Sequence, residues 1–240
     1  LTSRLSSLVD TSRRVGDTAS RLSKVAVLAA FLQQLEPQEI DIAVAFLSGD
    51  TGQDRLGIGP SALFAIAAPP AGQPSLTLEQ VNRFLGQVQA ARGKGSAAER
   101  NEVLHRLFIL ATPEEQDFLV RLLAGELRQG ALEGVMVEAL ARAAKLPIDT
   151  VRRAVMLGGS LPRVARAALT EGSQGLQAFS LRVLQPLQPM LADTAQDIEE
   201  ALGRLRAAAF EWKLDGARVQ VHKADSIVRV FSRSLNDVTS

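Results

Sequence analysis

Lys213 has the neighbours of a nucleophile. It stands in Glu211-Trp212-Lys213-Leu214-Asp215-Gly216-Ala217-Arg218, and Phe231-Ser232-Arg233 supplies a second arginine on the next apolar run. A lysine amine can attack a phosphorus centre and hold a phosphoryl group through a breakable phosphoramidate bond. It must first be neutral, a form that burial or neighbouring cations favour. Arginine stays protonated and cannot be that nucleophile, but its planar fork suits phosphate and ribose oxygens. Gly216 lets backbone approach a nucleotide with no side chain in the way. Taken alone, Lys-x-Asp-Gly also reads as a lysine before an ordinary Asp-Gly turn.

These groups need elements to position them. Ala209–Lys213 is predicted as a short strand, with Glu211 and Lys213 on one face and Trp212 on the other, in the core. Arg218–Lys223 alternates polar and apolar residues, and Ile227–Phe231 follows as another strand after the polar turn Ala224-Asp225-Ser226. The region therefore reads as the opening of an antiparallel sheet with a lysine and arginines near one pocket. His222, a lone histidine on a strand, is given no catalytic role.

Before Gln185 the pattern is helical. Thr77-Leu78-Glu79-Gln80, Ser96-Ala97-Ala98-Glu99 and Thr112-Pro113-Glu114-Glu115 have the form of capping boxes. Val103, Leu104, Leu107, Phe108 and Ala111 form an apolar stripe at helical spacing. Pro37 and Pro113 stand 76 positions apart, and Glu39/Glu115, Gly49/Gly125 and Gln53/Gln129 repeat that offset. This predicts two helix–loop–helix units related by a pseudo-two-fold axis. With 240 residues, no cysteine and a formal net charge of +1, the chain can form neither disulfides nor thiolate metal sites. It has no apolar run of membrane-spanning length, and the expectation is a cytoplasmic protein.

Charge is unevenly spread. Arg121 to Arg182 holds nine Arg or Lys against five Asp or Glu. Within it lies Gly125-Glu126-Leu127-Arg128-Gln129-Gly130, where a glycine-broken turn beside Arg128 could offer N–H groups and a cation to phosphate. Such contacts hold duplex DNA without reading its sequence. The plainer reading of each glycine, Gly158 and Gly159 included, is that it ends a helix.

The longer strings resemble one family, the ATP-dependent DNA ligases. Its E-x-K-x-D-G-x-R, Q-x-H and F-S-R patterns, with a threonine following, match Glu211 to Arg218, Gln220, His222, Phe231 to Arg233 and Thr239. The Gly125–Gly130 string resembles the family's helical DNA-binding domain, as do Met156–Leu161 and Ser20–Val25. Pro189–Ala192 is similar to the entry into its catalytic domain. The resemblance implies an α+β chain: an all-α DNA-binding domain over residues 1–184, then the first antiparallel strands of a nucleotidyltransferase domain over 185–240. It implies that Lys213 becomes adenylated from ATP with Mg²⁺, that Glu211 contacts adenine, and that Arg218 and Arg233 contact the nucleotide. It places nicked duplex DNA near Gly125, Arg128, Gly130, Gly158 and Gly159, on a monomer. The alternatives are a related RNA ligase or capping nucleotidyltransferase and, for these 240 residues alone, a non-catalytic DNA-binding fragment.

Overall fold

Local capping chemistry sets several helix starts. The computed structural model describes residues 2–53, 56–59, 63, 66, 68–93, 95–127, 133–188, 194–205, 207–212, 215–233 and 235–239. Thr77 Oγ accepts from the Gln80 N–H at 3.2 Å, and Gln80 Oε1 accepts in return from the Thr77 N–H at 2.9 Å. Thr112 and Glu115 make the same reciprocal pair at 3.4 and 2.9 Å, with Pro113 opening the helix. Ser96 departs from expectation. The cap is Gly95, at φ 90°, and makes no side-chain bond, while Ser96 Oγ accepts from Arg100 Nη2 at 3.1 Å. The left-handed turn at Gly95 starts the helix one residue early and leaves the serine hydroxyl to the arginine.

Two compact units separate, Leu1–Ala154 with Ser160–Phe179, and Val155–Gly159 with Ser180–Ser240. The first is built from α1 (Leu5–Gly16), α2 (Arg21–Leu32), α3 (Ile40–Leu47), α4 (Leu78–Ala90), α5 (Ser96–Ile109), α6 (Pro113–Leu123), α7 (Glu133–Ala144), most of α8 (Ile148–Gly158) and α9 (Leu161–Leu176). Helix α2 packs on α7, α3 on α9, and α4 on α5. Leu5, Leu28, Phe46, Leu85, Leu104, Phe118 and Leu140 fill the interior, and the whole Val103-to-Ala111 stripe is buried. No described helix is long and apolar enough to cross a membrane.

Several local features recur at the 76-residue offset. Glu39 and Glu115 are both fully buried, and each carboxylate accepts the N–H three residues before it, from Glu36 at 3.2 Å and Thr112 at 2.9 Å. Helices α3 and α6 end alike. Ser48 and Ala124 donate to Val44 and Val120, Gly49 and Gly125 to Phe46 and Leu122, and Asp50 and Glu126 to Ala45 and Arg121. Gly49 and Gly125 have φ of 79° and 70°, the left-handed geometry that closes a Schellman turn. A Cβ on Gly49 would lie 3.8 Å from Leu127 Cβ, so the two turns are neighbours.

Two further links act across long sequence distances. Arg21 on α2 forks onto Glu138 on α7, with Nη2 2.8 Å from Oε1 and Nε 3.2 Å from Oε2. Arg100 donates twice to the Ala91 carbonyl and once to that of Gly57, at 3.1 Å. The left-handed φ of 66° at Gly57 favours glycine, and a Cβ there would lie 3.0 Å from the guanidinium.

The second unit contains α10 (Ile198–Leu205) and a hairpin of β1 (Val219–Ala224) and β2 (Ile227–Ser232). The hairpin is antiparallel, with Val219 opposite Ser232 and Ala224 opposite Ile227, so Asp225 and Ser226 form its two-residue loop. Asp225 adopts φ 52°, as such tight turns require. The strand expected over Ala209–Lys213 is not formed at residues 209–212, and Trp212, expected in the core, is 93 % exposed. Alternation assigns a side chain to a face only when the backbone has a ladder partner, and these residues have none among the described ones.

Candidate functional site

Two of the chemistry-bearing residues of the second unit flank the hairpin strands at their open end. The hairpin register closes at Val219 opposite Ser232; Arg218 directly precedes β1, and Arg233 directly follows β2 in the turn that the Leu235 N–H closes onto the Ser232 carbonyl at 3.0 Å. Both are exposed, and neither has an ion pair among the described residues. Glu211, Asp215 and Gly216 are exposed as well. Lys213 lies outside the described residues.

The face of β1 that carries Gln220 and His222 is half-buried, and a backbone segment covers it. Gln220 Oε1 accepts from the Leu187 N–H at 2.9 Å, and its Nε2 donates to the Leu187 carbonyl at 2.6 Å. His222 Nδ1 accepts from the Leu184 N–H at 3.1 Å, which leaves the ring proton on Nε2. The ring also meets Phe231 edge-on, with centroids 5.1 Å apart. Gln185 Nε2 donates to the carbonyls of Leu157 and Gly158, at 2.9 and 3.1 Å. Gly159, at φ 64°, passes close to Pro186: a Cβ there would lie 3.7 Å from its carbonyl oxygen. The sequence signals nothing of this, since the partners are separated by 27 to 38 positions.

Among the described residues no group of three or more His, Cys, Asp or Glu comes together that could hold a metal ion.

In the helical unit the Gly125 turn is exposed, and Gly125 has open space around its Cα. Arg128 and Gly130 lie outside the described residues. The next described helix, α7, opens on Glu133, whose carboxylate already complements the positive helix end. A phosphate at this turn would depend on the loop and its arginine rather than on that helix terminus. Arg21, inside the Ser20–Val25 string, is held by Glu138, and that hydrogen bond keeps the Glu138 carboxyl below the usual glutamate range. Sequence matching drew attention to the string but not to this interhelical link.

Residues 67–141 match the family model described as DNA ligase N terminus, and residues 189–240 match the one described as ATP dependent DNA ligase domain. Through these two segments the chain belongs to the ATP-dependent DNA ligase family. It is 54 % identical over 237 residues to a protein of Anaeromyxobacter sp. (strain Fw109-5) named "Probable DNA ligase", covering 98 % of this chain and 46 % of the relative. A protein of the same name from Sorangium cellulosum (strain So ce56) is 52 % identical, over 98 % of this chain and 44 % of its own length. One from Mycobacterium marinum (strain ATCC BAA-535 / M) is 50 % identical, over 97 % and 47 %. The chain thus spans slightly less than half the length of these relatives.

Proposed function

We propose that this chain belongs to an enzyme that seals nicks in duplex DNA through an AMP group carried on Lys213. The neutral amine of Lys213 attacks the α-phosphorus of ATP. A P–N bond forms, the bond to the bridging oxygen breaks, and pyrophosphate leaves with the electron pair while the nitrogen loses a proton. A 5′-phosphate oxygen at the nick then displaces the lysine and takes the AMP. Last, the 3′-hydroxyl attacks that 5′-phosphorus and AMP departs.

Within this reading Glu211 contacts adenine, and Arg218 and Arg233 hold nucleotide oxygens. Gly125, Arg128, Gly130, Gly158 and Gly159 lie along the DNA. Mg²⁺, which the resemblance implies, is given no ligands among the described residues, and the steps are written through the chain's own side chains. The enzyme is taken as a cytoplasmic monomer, and its helical part as two pseudo-symmetric halves. The matching hydrogen bonds at the ends of α3 and α6 support that last view.

The observation that carries the proposal is the match of residues 189–240 to the ligase domain, within which Arg218, five residues after Lys213, and Arg233 stand exposed at the two outer ends of the hairpin strands. The test is incubation of the full-length protein with ATP labelled on the α-phosphate, followed by peptide mapping. Acid-labile AMP should appear on the peptide containing Lys213 and be absent from Lys213→Arg, which is charged and non-nucleophilic. Label retained on the Lys213→Arg protein overturns the assignment.

A further inference from the structure

We propose that Gln220 and His222 are positioning residues for nucleotide attachment, an inference that rests on the function proposed above. The strand places Gln220 and His222 two residues apart on one face of β1, and Arg218 immediately precedes the strand. On that face the three hydrogen bonds from Gln220 and His222 to the backbone of Leu184 and Leu187 act as clasps. Gln220 reproduces with its side chain the paired N–H and C=O of a strand, and binds Leu187 as a neighbouring strand would.

The clasp is specific in its chemistry. His222 meets a single donor, and Leu184 has φ 69°, a left-handed conformation that leucine adopts only when its surroundings hold it there. At its other side the clasped segment is tied by Gln185 to the carbonyls of Leu157 and Gly158, and by the Gln188 N–H to Met156 O at 3.3 Å. One side of β1 is thereby backed by a braced strap rather than by solvent. The strand end that Arg218 immediately precedes is held, with the exposed Arg218 guanidinium free to meet a nucleotide. Neither Gln220 nor His222 need touch that nucleotide. Their effect runs through Arg218.

The test uses the full-length protein with His222→Leu, Gln220→Leu and the conservative His222→Asn, whose amide oxygen can replace Nδ1 as acceptor. Leu187→Pro removes the N–H that Gln220 accepts and leaves both strands untouched, so it reports even if a strand variant fails to fold. Two readouts are taken: amide hydrogen exchange at Leu184–Leu187, and the ATP dependence of AMP attachment to Lys213. Loss of one or two such bonds should speed exchange there and raise the apparent KM for ATP about tenfold, with a smaller change at saturating ATP. His222→Asn should restore both. Faster exchange with an unchanged KM overturns the positioning role, and unchanged exchange overturns the clasp itself. A wild-type protein that takes up no AMP sinks the parent reading together with this one. Wild-type attachment beside indifferent variants sinks only the clasp.

Discussion

Glu39 accepts both the backbone N–H and the hydroxyl of Ser3, at 2.6 and 2.7 Å, from a position with no exposure to solvent. It also takes the Glu36 N–H at 3.2 Å, so one carboxylate fixes the approach to α1 and the entry to α3 together. Glu39→Ala strands three donors and should cost roughly 3 kcal/mol, whereas Glu39→Gln keeps an acceptor and should cost about 1 kcal/mol. Denaturant titration followed by helical circular dichroism measures both. Equal costs would mean that the side chain merely fills space.

Glu115 offers a test by pH. Its carboxyl is held above the ordinary glutamate value of 4.5, chiefly because burial disfavours the charge, and its Oε1 has no hydrogen-bond partner among the described residues. A folded pKa above the unfolded one means that the native state binds the proton more tightly. Its stabilising contribution is complete below the unfolded value and is lost as pH rises through the folded one. Glu115→Gln keeps an acceptor for the Thr112 N–H but cannot titrate. From about pH 4.5 upward, the variant should therefore gain stability relative to the wild type. Unfolding titrations at a series of pH values decide it, and a flat difference would show that Glu115 titrates normally.

Arg218→Ala and Arg233→Ala should each impair ATP use and leave the helical unit folded. Each removes one charge-assisted fork, worth roughly 10- to 100-fold in apparent affinity. If both grip the same phosphate, their losses should not add independently. A double-mutant cycle on the KM for ATP measures that coupling. A lowered melting temperature with normal AMP attachment would reassign either arginine to structure.

The adjacent turns at Gly49 and Gly125 differ in charge: Arg128 follows the second closely, while the first reaches a cation only at Arg55. Both arginines lie outside the described residues. Arg128→Ala should weaken duplex binding more than Arg55→Ala, equally across DNA sequences, and should lower the salt slope by about one. Titrations at several salt concentrations would expose equal losses or an unchanged slope, either of which removes the contact.

What was legible in the sequence was local. Reciprocal caps at Thr77 and Thr112, the α5 stripe and the β1–β2 hairpin each rest on residues within a few positions of one another, and each formed as expected. Trp212 failed because alternation presumes a paired strand, and Ser96 because a left-handed glycine took its place. The Arg21–Glu138 fork and the Gln220–Leu187 clasp join residues 117 and 33 positions apart, whose proximity no spacing rule encodes. Arg218 and Arg233 were legible as types, but their places just outside the paired strands came only with the register.

Arg100 serves this cysteine-free chain as a crosslink. Its guanidinium ties the Gly57 carbonyl to that of Ala91 and so bridges positions 34 apart in the folded chain, whereas a sulfur bridge would also restrict the unfolded ensemble. Unlike a sulfur bridge it needs no oxidant to form and no reductant to release. Such a link can open and reclose on the timescale of a side-chain motion, in any redox compartment.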